Sequence, residues 1–173
     1  MKKLKVLLKK TGREPEAIEI NDTLEAKQKL VGGLIEVVPY GEQELICNEE
    51  GKILELYPNC IFDYDMINGN FFLVNDDFEN AGFKSLTDEE IEHLKLDLKY
   101  RSVNYTKTQM KAVLKQEKEL EKAFEENNLD KKMSDYEELE EFYNDMKEDL
   151  EKPFTDEDLE EMNKKYYFEE REN

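Results

Sequence analysis

Over the first half of the chain, apolar positions come in short alternating or continuous stretches. Over the second half they recur every three or four residues, so the pattern predicts strands first and helices afterwards. Leu4-Lys5-Val6-Leu7-Leu8 reads as a strand. The turn Thr11-Gly12-Arg13-Glu14-Pro15 leads from it to a second strand at Ala17–Ile20, which predicts a hairpin. Asp22 or Thr23 stands where a cap belongs for a short helix carrying Leu24, Ala26, Leu30 and Val31, and Gly32-Gly33 ends it. Leu34-Ile35-Glu36-Val37-Val38 has a buried-strand pattern closed by Pro39. Glu44–Cys47 and Ile53–Leu56 flank Asn48-Glu49-Glu50-Gly51-Lys52 as the arms of a hairpin, and Phe71–Val74 follows the Asn68-Gly69-Asn70 turn as one more strand.

From Thr87 the period is helical. Thr87-Asp88-Glu89-Glu90 is a capping box, followed by Ile91, Leu94, Leu98 and Tyr100 on one side. A second helix is predicted over Thr106–Glu126. Met110, Val113, Leu114, Leu120 and Phe124 line one of its faces, and Lys107, Lys111, Lys115, Lys118 and Lys122 the other. Ser134–Glu137 opens a third, carrying Tyr136, Leu139, Phe142, Tyr143, Met146 and Leu150. Pro153 ends it, and Thr155–Asp158 caps a last one with Leu159, Met162 and Tyr166. The expected fold is α+β: a small, mostly antiparallel sheet with one short helix, then three to four amphipathic helices of which the last two are strongly acidic. The expected organisation is an N-terminal lobe over residues 1–86 and a helical region over 87–173, with the change of pattern near Ser85–Tyr105.

Charge alters this picture more than hydrophobicity does. With 38 % hydrophobic and 40 % charged residues the chain is lean in core, yet its Leu, Ile, Val, Phe and Tyr cluster enough to exclude wholesale disorder. Glu125–Asn173 holds 20 acidic and 7 basic residues, −13 of the chain's −19. Such a surface repels nucleic acid and anionic lipid and favours a basic partner, above all a protein that normally grips nucleic acid. The plainer alternative is that acidity serves solubility. No apolar run is long enough to cross a bilayer, and MKKLKVLLKK reads as a first strand instead of a signal peptide, so a soluble, cytoplasmic protein of a bacterial host cell is expected. Cys47 and Cys60 are then reduced packing residues.

Catalytic and metal-binding patterns are sparse. His93 is the single histidine, with neither a second imidazole for a metal nor a nucleophile in context, and there is no CxxC pair or phosphate loop. Asp63-Tyr64-Asp65 with Asn68 falls short of a hard-cation loop, and Asp76-Asp77 is similarly incomplete. A non-enzymatic protein without cofactor or metal is expected. Three adjacent aromatics, Tyr166-Tyr167-Phe168, cannot all face inward, which leaves one as a candidate contact for a partner or for a second copy in a homodimer.

Several stretches of the N-terminal half occur together and in order: the opening hairpin with Glu14-Pro15, Thr23-Leu24-Glu25-Ala26 through Val31-Gly32-Gly33, and Ile35-Glu36-Val37-Val38. Ile46-Cys47-Asn48-Glu49-Glu50-Gly51-Lys52, Pro58-Asn59, Ile67-Asn68-Gly69 and Ser85-Leu86-Thr87-Asp88-Glu89 complete the series. Through them the region from about Lys3 to Asp97 resembles a DUF3846-like family of phages and mobile elements, a domain of unknown function. That resemblance implies a phage or mobile-element origin and an anti-defence role. Tyr136-Glu137 and Glu140-Glu141-Phe142-Tyr143-Asn144-Asp145-Met146 resemble the acidic helix of phage-encoded Cas9 inhibitors that mimic DNA.

The leading expectation is therefore an anti-CRISPR inhibitor that competes with DNA for a basic surface of a Cas9-type effector, with or without guide RNA, and does not bind DNA itself. Its candidate contacts are Asp135, Glu137, Glu138, Glu140, Glu141, Asp145, Glu148 and Asp149, with Asp156, Glu157 and Asp158 in support. The alternative is a small-molecule (nucleotide-signal) sponge or a non-enzymatic adaptor built on the N-terminal lobe. The ligand would meet the turns Gly32-Gly33, Asn48-Glu49-Glu50-Gly51-Lys52, Pro58-Asn59 and Asn68-Gly69.

Overall fold

The computed structural model describes residues 1–63 and 65–128. The fold is α+β, with a mostly antiparallel sheet. In chain order the elements are β1 (Lys3–Lys9), β2 (Glu16–Asn21), α1 (Leu24–Val31), β3 (Ile35–Tyr40), β4 (Gln43–Asn48), β5 (Pro58–Ile61), β6 (Met66–Asn68), β7 (Phe71–Asp77), β8 (Gly82–Lys84) and α2 (Asp88–Arg101). A further helix, α3, covers residues 107–128. The main sheet has the order β2-β1-β7-β4-β3, with β8 on the far end of β7. β5 and β6 form a separate two-stranded ribbon. All pairings are antiparallel, as the Leu7↔Leu73 and Ile46↔Phe72 registers show for the two neighbours of β7.

The continuous apolar run Phe71-Phe72-Leu73-Val74 makes β7 the centre of the sheet, since all four residues are fully buried and successive side chains of a strand face opposite ways. One face of the sheet joins Leu4, Val6, Leu8, Ile46, Phe72 and Val74 to Val31 of α1. The other joins Leu7, Leu45, Cys47, Phe71 and Leu73 to Cys60 and Ile67 of the ribbon and to Ile91, Leu94 and Leu98 of α2. The sheet is thus covered on both faces. Residues Met1–Glu126 form one compact unit, so the change of pattern near Ser85–Tyr105 separates strands from helices that share a core with them.

The helix ends follow their sequence signals. Thr23 caps α1 through its hydroxyl, which accepts from the Ala26 N–H at 3.2 Å. Thr87 and Glu90 make the reciprocal capping box of α2, and Thr106 and Gln109 exchange the same pair of bonds at the start of α3. Gly32 ends α1 in the left-handed region, at φ 77°, with Leu120 of α3 packed so closely over it that a side chain there would collide. α3 is tied down further by buried Val113 and by Gln116, whose amide accepts from the Tyr57 N–H and donates to the Glu55 carbonyl, both at 3.0 Å. Glu117 accepts from Arg13 and, at 3.1 Å, from Asn70.

Three expectations differ from the structure. Tyr100 is exposed, because two residues beyond Leu98 lies about 200° around the helix. β3 does not stop at Pro39 but runs to Tyr40. It is an edge strand, where the missing N–H of proline costs no ladder bond. Glu44–Cys47 lies in β4, which pairs with β3 and β7, and not with Ile53–Leu56. Residues 50–56 instead close on themselves, the Leu54 N–H bonding the Glu50 carbonyl at 2.8 Å and the Leu56 N–H the Gly51 carbonyl at 2.9 Å. The short strands β5, β6 and β8 carry too few apolar positions to show a period of two.

One buried group opposes the fold. Lys9 lies on the Leu7 face of β1 and is only 1 % exposed. Among the described residues its ammonium donates to the Lys10 carbonyl, at 3.2 Å, and to no other acceptor. Burial pushes its pKa below the ordinary 10.5, against the opposing pull of Cys60 and Glu14. In the unfolded chain Lys9 titrates at its ordinary value. Between the lowered folded pKa and 10.5 the unfolded state therefore holds the extra proton, and stability attributable to Lys9 rises with pH across that window. Lys9→Met is expected to raise stability at neutral pH by about 1–3 kcal/mol, with the gain shrinking as pH approaches 10.5. Urea unfolding at neutral and alkaline pH reads both, and a gain independent of pH would contradict this account. A chain ending at Tyr105 is expected to be about 2–4 kcal/mol less stable than one ending at Glu126, having lost Val113 and the Gln116 clamp. Equal urea midpoints would show that α3 contributes nothing to the fold.

Candidate functional site

At the Asn48 end of β4 the ribbon leaves part of one sheet face uncovered. Glu36 of β3 stands opposite Cys47 of β4, and Val38 opposite Leu45, so Glu36, Val38 and Cys47 share a face. β6 crosses in front of them with Met66, Ile67 and Asn68, and the turn Asn48–Lys52 closes one end. Between them lies a cleft of about 170 Å³. Val38, Cys47, Met66 and Ile67 supply apolar lining, while Glu36, Glu49, Lys52, Asp65 and Asn68 supply the polar part.

Two asparagines shape it. Asn48 is buried and bridges three segments. Its amide nitrogen donates to the Val31 carbonyl at 3.2 Å, and its side-chain oxygen accepts from the Glu50 N–H at 2.8 Å. Asn68 donates to the Leu56 carbonyl at 2.8 Å, but its own side-chain oxygen is buried with no hydrogen-bond partner among the described residues. Gly51 is where the turn meets β6: a Cβ there would lie 2.7 Å from the Asn68 carbonyl oxygen, so only glycine allows this approach.

The cleft is negative. Lys52 is ion-paired with Asp65, and that bond, followed by the Met66 N–H, holds the Asp65 carboxyl below the usual carboxylate range. Glu36 and Glu49 have no ion-pair partner among the described residues. Burial pushes the Cys47 thiol up to about 11, with Glu36 and then Asp65 adding to the rise and Lys52 opposing it. At neutral pH Cys47 is a protonated thiol and lines the cleft without acting as a nucleophile. Cys60 is raised by burial too, offset first by Lys9. The arrangement is suited to holding a group by charge and shape.

The structure brings together most of the ligand-turn residues expected from sequence. Gly33, Asn48, Glu49, Glu50 and Gly51 meet around Asn48, and Gly32 lies beside them under Leu120. Asn59 is elsewhere, fully buried in the core. It donates to the Lys9 carbonyl at 2.9 Å and the Gly69 carbonyl at 2.8 Å, which makes it a tie between β5, β1 and the β6–β7 turn. Glu36 and Asp65 escaped the sequence reading as cleft residues. Glu36 looks like any outward residue of an alternating strand, and the ribbon that encloses it has no periodic signal. His93 lines a separate shallow cleft of about 280 Å³ with Glu42, Gln43, Glu89 and Glu90. Among the described residues no set of His, Cys, Asp and Glu gathers as a metal site, and no helix is long and apolar enough to cross a membrane. Asp135, Glu137, Glu138, Glu140, Glu141, Asp145, Glu148, Asp149, Asp156, Glu157 and Asp158 lie outside the described residues, as do the two acidic helices and Tyr166-Tyr167-Phe168.

Residues 1–99 match the family described as Domain of unknown function (DUF3846), which is more than half of the chain, and the protein belongs to that family. The match takes in every strand of the described residues, α1, most of α2 and the whole cleft. No curated protein and no solved structure matches the chain.

At neutral pH a thiol reagent is expected to leave both cysteines of the native protein unmodified over a time in which it titrates both in concentrated urea, the Cys47 rate rising only toward pH about 11. Glu36→Gln removes one of the carboxylates that raise the Cys47 thiol and should move its pH–rate profile downward. An unmoved profile would mean that the Glu36 charge does not reach the floor of the cleft.

Proposed function

We propose that this DUF3846 member is a non-enzymatic anti-defence protein of phage or mobile-element origin, which inhibits a Cas9-type nuclease by competing with DNA for its basic surface. The observation that carries this reading is where the charge lies. The family domain ends at residue 99, and −13 of the net −19 falls after it, within residues 125–173. Carboxylates at that density can occupy arginines that otherwise grip phosphates and read bases, through charge-assisted hydrogen bonds. The contacts are the carboxylates from Asp135 to Asp149, supported by Asp156–Asp158. The same charge disfavours direct binding to DNA or to an anionic membrane, since like charges repel within a Debye length of about 8 Å at physiological salt.

The second reading, a nucleotide-signal sponge, draws support from the cleft, whose lining includes Asn48, Glu49, Gly51, Lys52 and Asn68 of the expected turns. A nucleotide phosphate would there face Glu36, Glu49 and Asp65, with Lys52 already committed to Asp65. That favours the first reading. A non-enzymatic adaptor fits the same fold but has no residue that singles it out.

Added to a Cas9-type nuclease before target DNA, the protein is expected to block cleavage; added after DNA is bound, it should have little effect. Raising salt should weaken inhibition steeply. Changing Glu137, Glu138, Glu140 and Glu141 together to Lys should abolish it, and so should ending the chain at Glu126, beyond the last tie of α3 to the sheet. Full inhibition by either variant would rule out the acidic region as the inhibitory surface.

A further inference from the structure

The turn that follows β1 gathers positive charge in a way that packing leaves unexplained. Lys9 is fully enclosed and makes no ion pair among the described residues, although burying an unpaired charge is costly. Its ammonium and the Arg13 N–H donate to the same oxygen, the Lys10 carbonyl, at 3.2 and 3.1 Å, so the buried charge lies against the turn itself. The same turn carries Lys10 and Arg13, whose side chains are 35 % and 34 % exposed and converge on one acceptor, the Glu117 carboxylate of α3. Arg13 donates to one of its oxygens and Asn70 to the other, at 3.1 Å. The Thr11 N–H fixes the Asn70 amide by donating to Asn70 Oδ1 at 3.0 Å. Lys10 Nζ stands 3.7 Å from the carboxylate, too far for a hydrogen bond. Glu14, at the exposed end of the turn, forms no ion pair among the described residues. Three cations thus meet a single paired carboxylate.

Beside that carboxylate a groove of about 340 Å³ opens between α1 and α3, within the range of small-molecule sites. Ile20, Leu30, Val31 and Leu120 give it an apolar wall, and Lys10, Asn70 and Glu117 belong to its polar lining. Lys29 and Glu121 add one charge of each sign.

We propose that Lys9, Lys10, Arg13 and Asn70 form a binding site for a phosphate monoester, that Glu117 occupies this site in cis, and that the apolar body of the ligand lies in the groove. A carboxylate leaves the cluster with an excess of positive charge. A phosphate monoester carries about −1.5 to −2 and three acceptor oxygens, enough to engage Arg13, Asn70 and Lys10 together. Lys9 acts from behind the turn, where water does not weaken its field. The four residues lie within the family match, whereas Glu117 lies beyond it. Val113 and Gln116 hold α3 independently, so the Glu117 side chain can swing out while the helix stays docked. As a tethered competitor, Glu117 lowers the affinity for the free ligand. The site goes beyond the nuclease reading, since residues 125–173 take no part in it.

The test is a titration of the full-length, isotope-labelled protein with phenyl phosphate, followed by amide shifts, with inorganic phosphate and benzyl alcohol as controls. The amides of Thr11, Gly12, Val31 and Asn70 are expected to shift together and saturate, with Kd on the order of millimolar. Inorganic phosphate should bind more weakly and leave Val31 in place, and benzyl alcohol should leave Thr11 and Gly12 in place. Glu117→Ala should bind phenyl phosphate about tenfold more tightly, and Arg13→Gln at least about tenfold more weakly. Lys9→Met, the more stable protein, should also bind about tenfold more weakly, a combination that a merely structural lysine would not give. An unchanged amide spectrum away from the turn certifies the fold of each variant. Shifts that never saturate, saturation in Glu117→Ala alone, or affinities untouched by Arg13→Gln would each overturn the site. Equal affinity of the native chain and Glu117→Ala would overturn the role of Glu117, and undiminished binding by Lys9→Met that of Lys9.

Discussion

β7 is buried on both faces, and a strand so placed cannot be left with water on either side. Phe71 and Leu73 point one way and Phe72 and Val74 the other, each fully enclosed. The rest of the architecture follows from covering both surfaces. β1 and β4 flank the strand and extend the apolar faces, α1 closes one of them through Val31, and α2 with the β5–β6 ribbon closes the other. Helix and ribbon have different shapes, so the second face is covered unevenly. The cleft sits where the ribbon passes over the β3 edge.

Side-chain amides hold this uneven layer in register. Asn59 joins β5 to β1, Asn48 joins β4 to the end of α1, and Gln116 joins α3 to the segment before β5. Asn75 accepts from Gln43 at 3.2 Å and donates to the Ser85 carbonyl and to Glu90, linking β4, β7 and the start of α2. Each tie satisfies backbone or side-chain groups that irregular connections would otherwise leave unpaired in the interior. Among the described residues, Asn68 Oδ1 is the exception within the same class of residue. Lys9 is a different departure: its charge opposes stability from inside the core.

Charge is distributed unevenly along the chain. In the domain up to α3 many charges are balanced by neighbours, as in Lys2 and Lys27 with Asp22, Lys10 and Arg13 with Glu117, and Lys52 with Asp65. Residues 125–173 carry a large unbalanced excess instead. An excess of one sign is costly to concentrate and favours association with the opposite sign, whereas isolated surface pairs contribute little either way. The cleft repeats the negative sign on a smaller scale, through Glu36 and Glu49.

The sequence by itself determined the elements whose signals are local. The β1–β2 hairpin, α1 with its Thr23 cap and Gly32 stop, the Phe71–Val74 strand, the Thr87 capping box and the start of α3 all depend on residues within a few positions of one another. Much of the candidate site was legible in the same way, since Asn48, Glu49 and Gly51 form a local turn. Tertiary structure alone decided what lies opposite that turn. Strand β6 is three residues long, Glu36 alternates like any solvent-facing position, and Asp65 pairs across to Lys52. None of these carries a periodic or capping signal. It likewise decided that Asn59, a turn residue by sequence, is a core tie, and that β4 pairs with β3 and β7 in preference to its nearer downstream segment. The physical reason is the same in each case. Short-range preferences are set by neighbours along the chain, while pairing, burial and the grouping of charges around a cleft are set by whichever arrangement encloses β7.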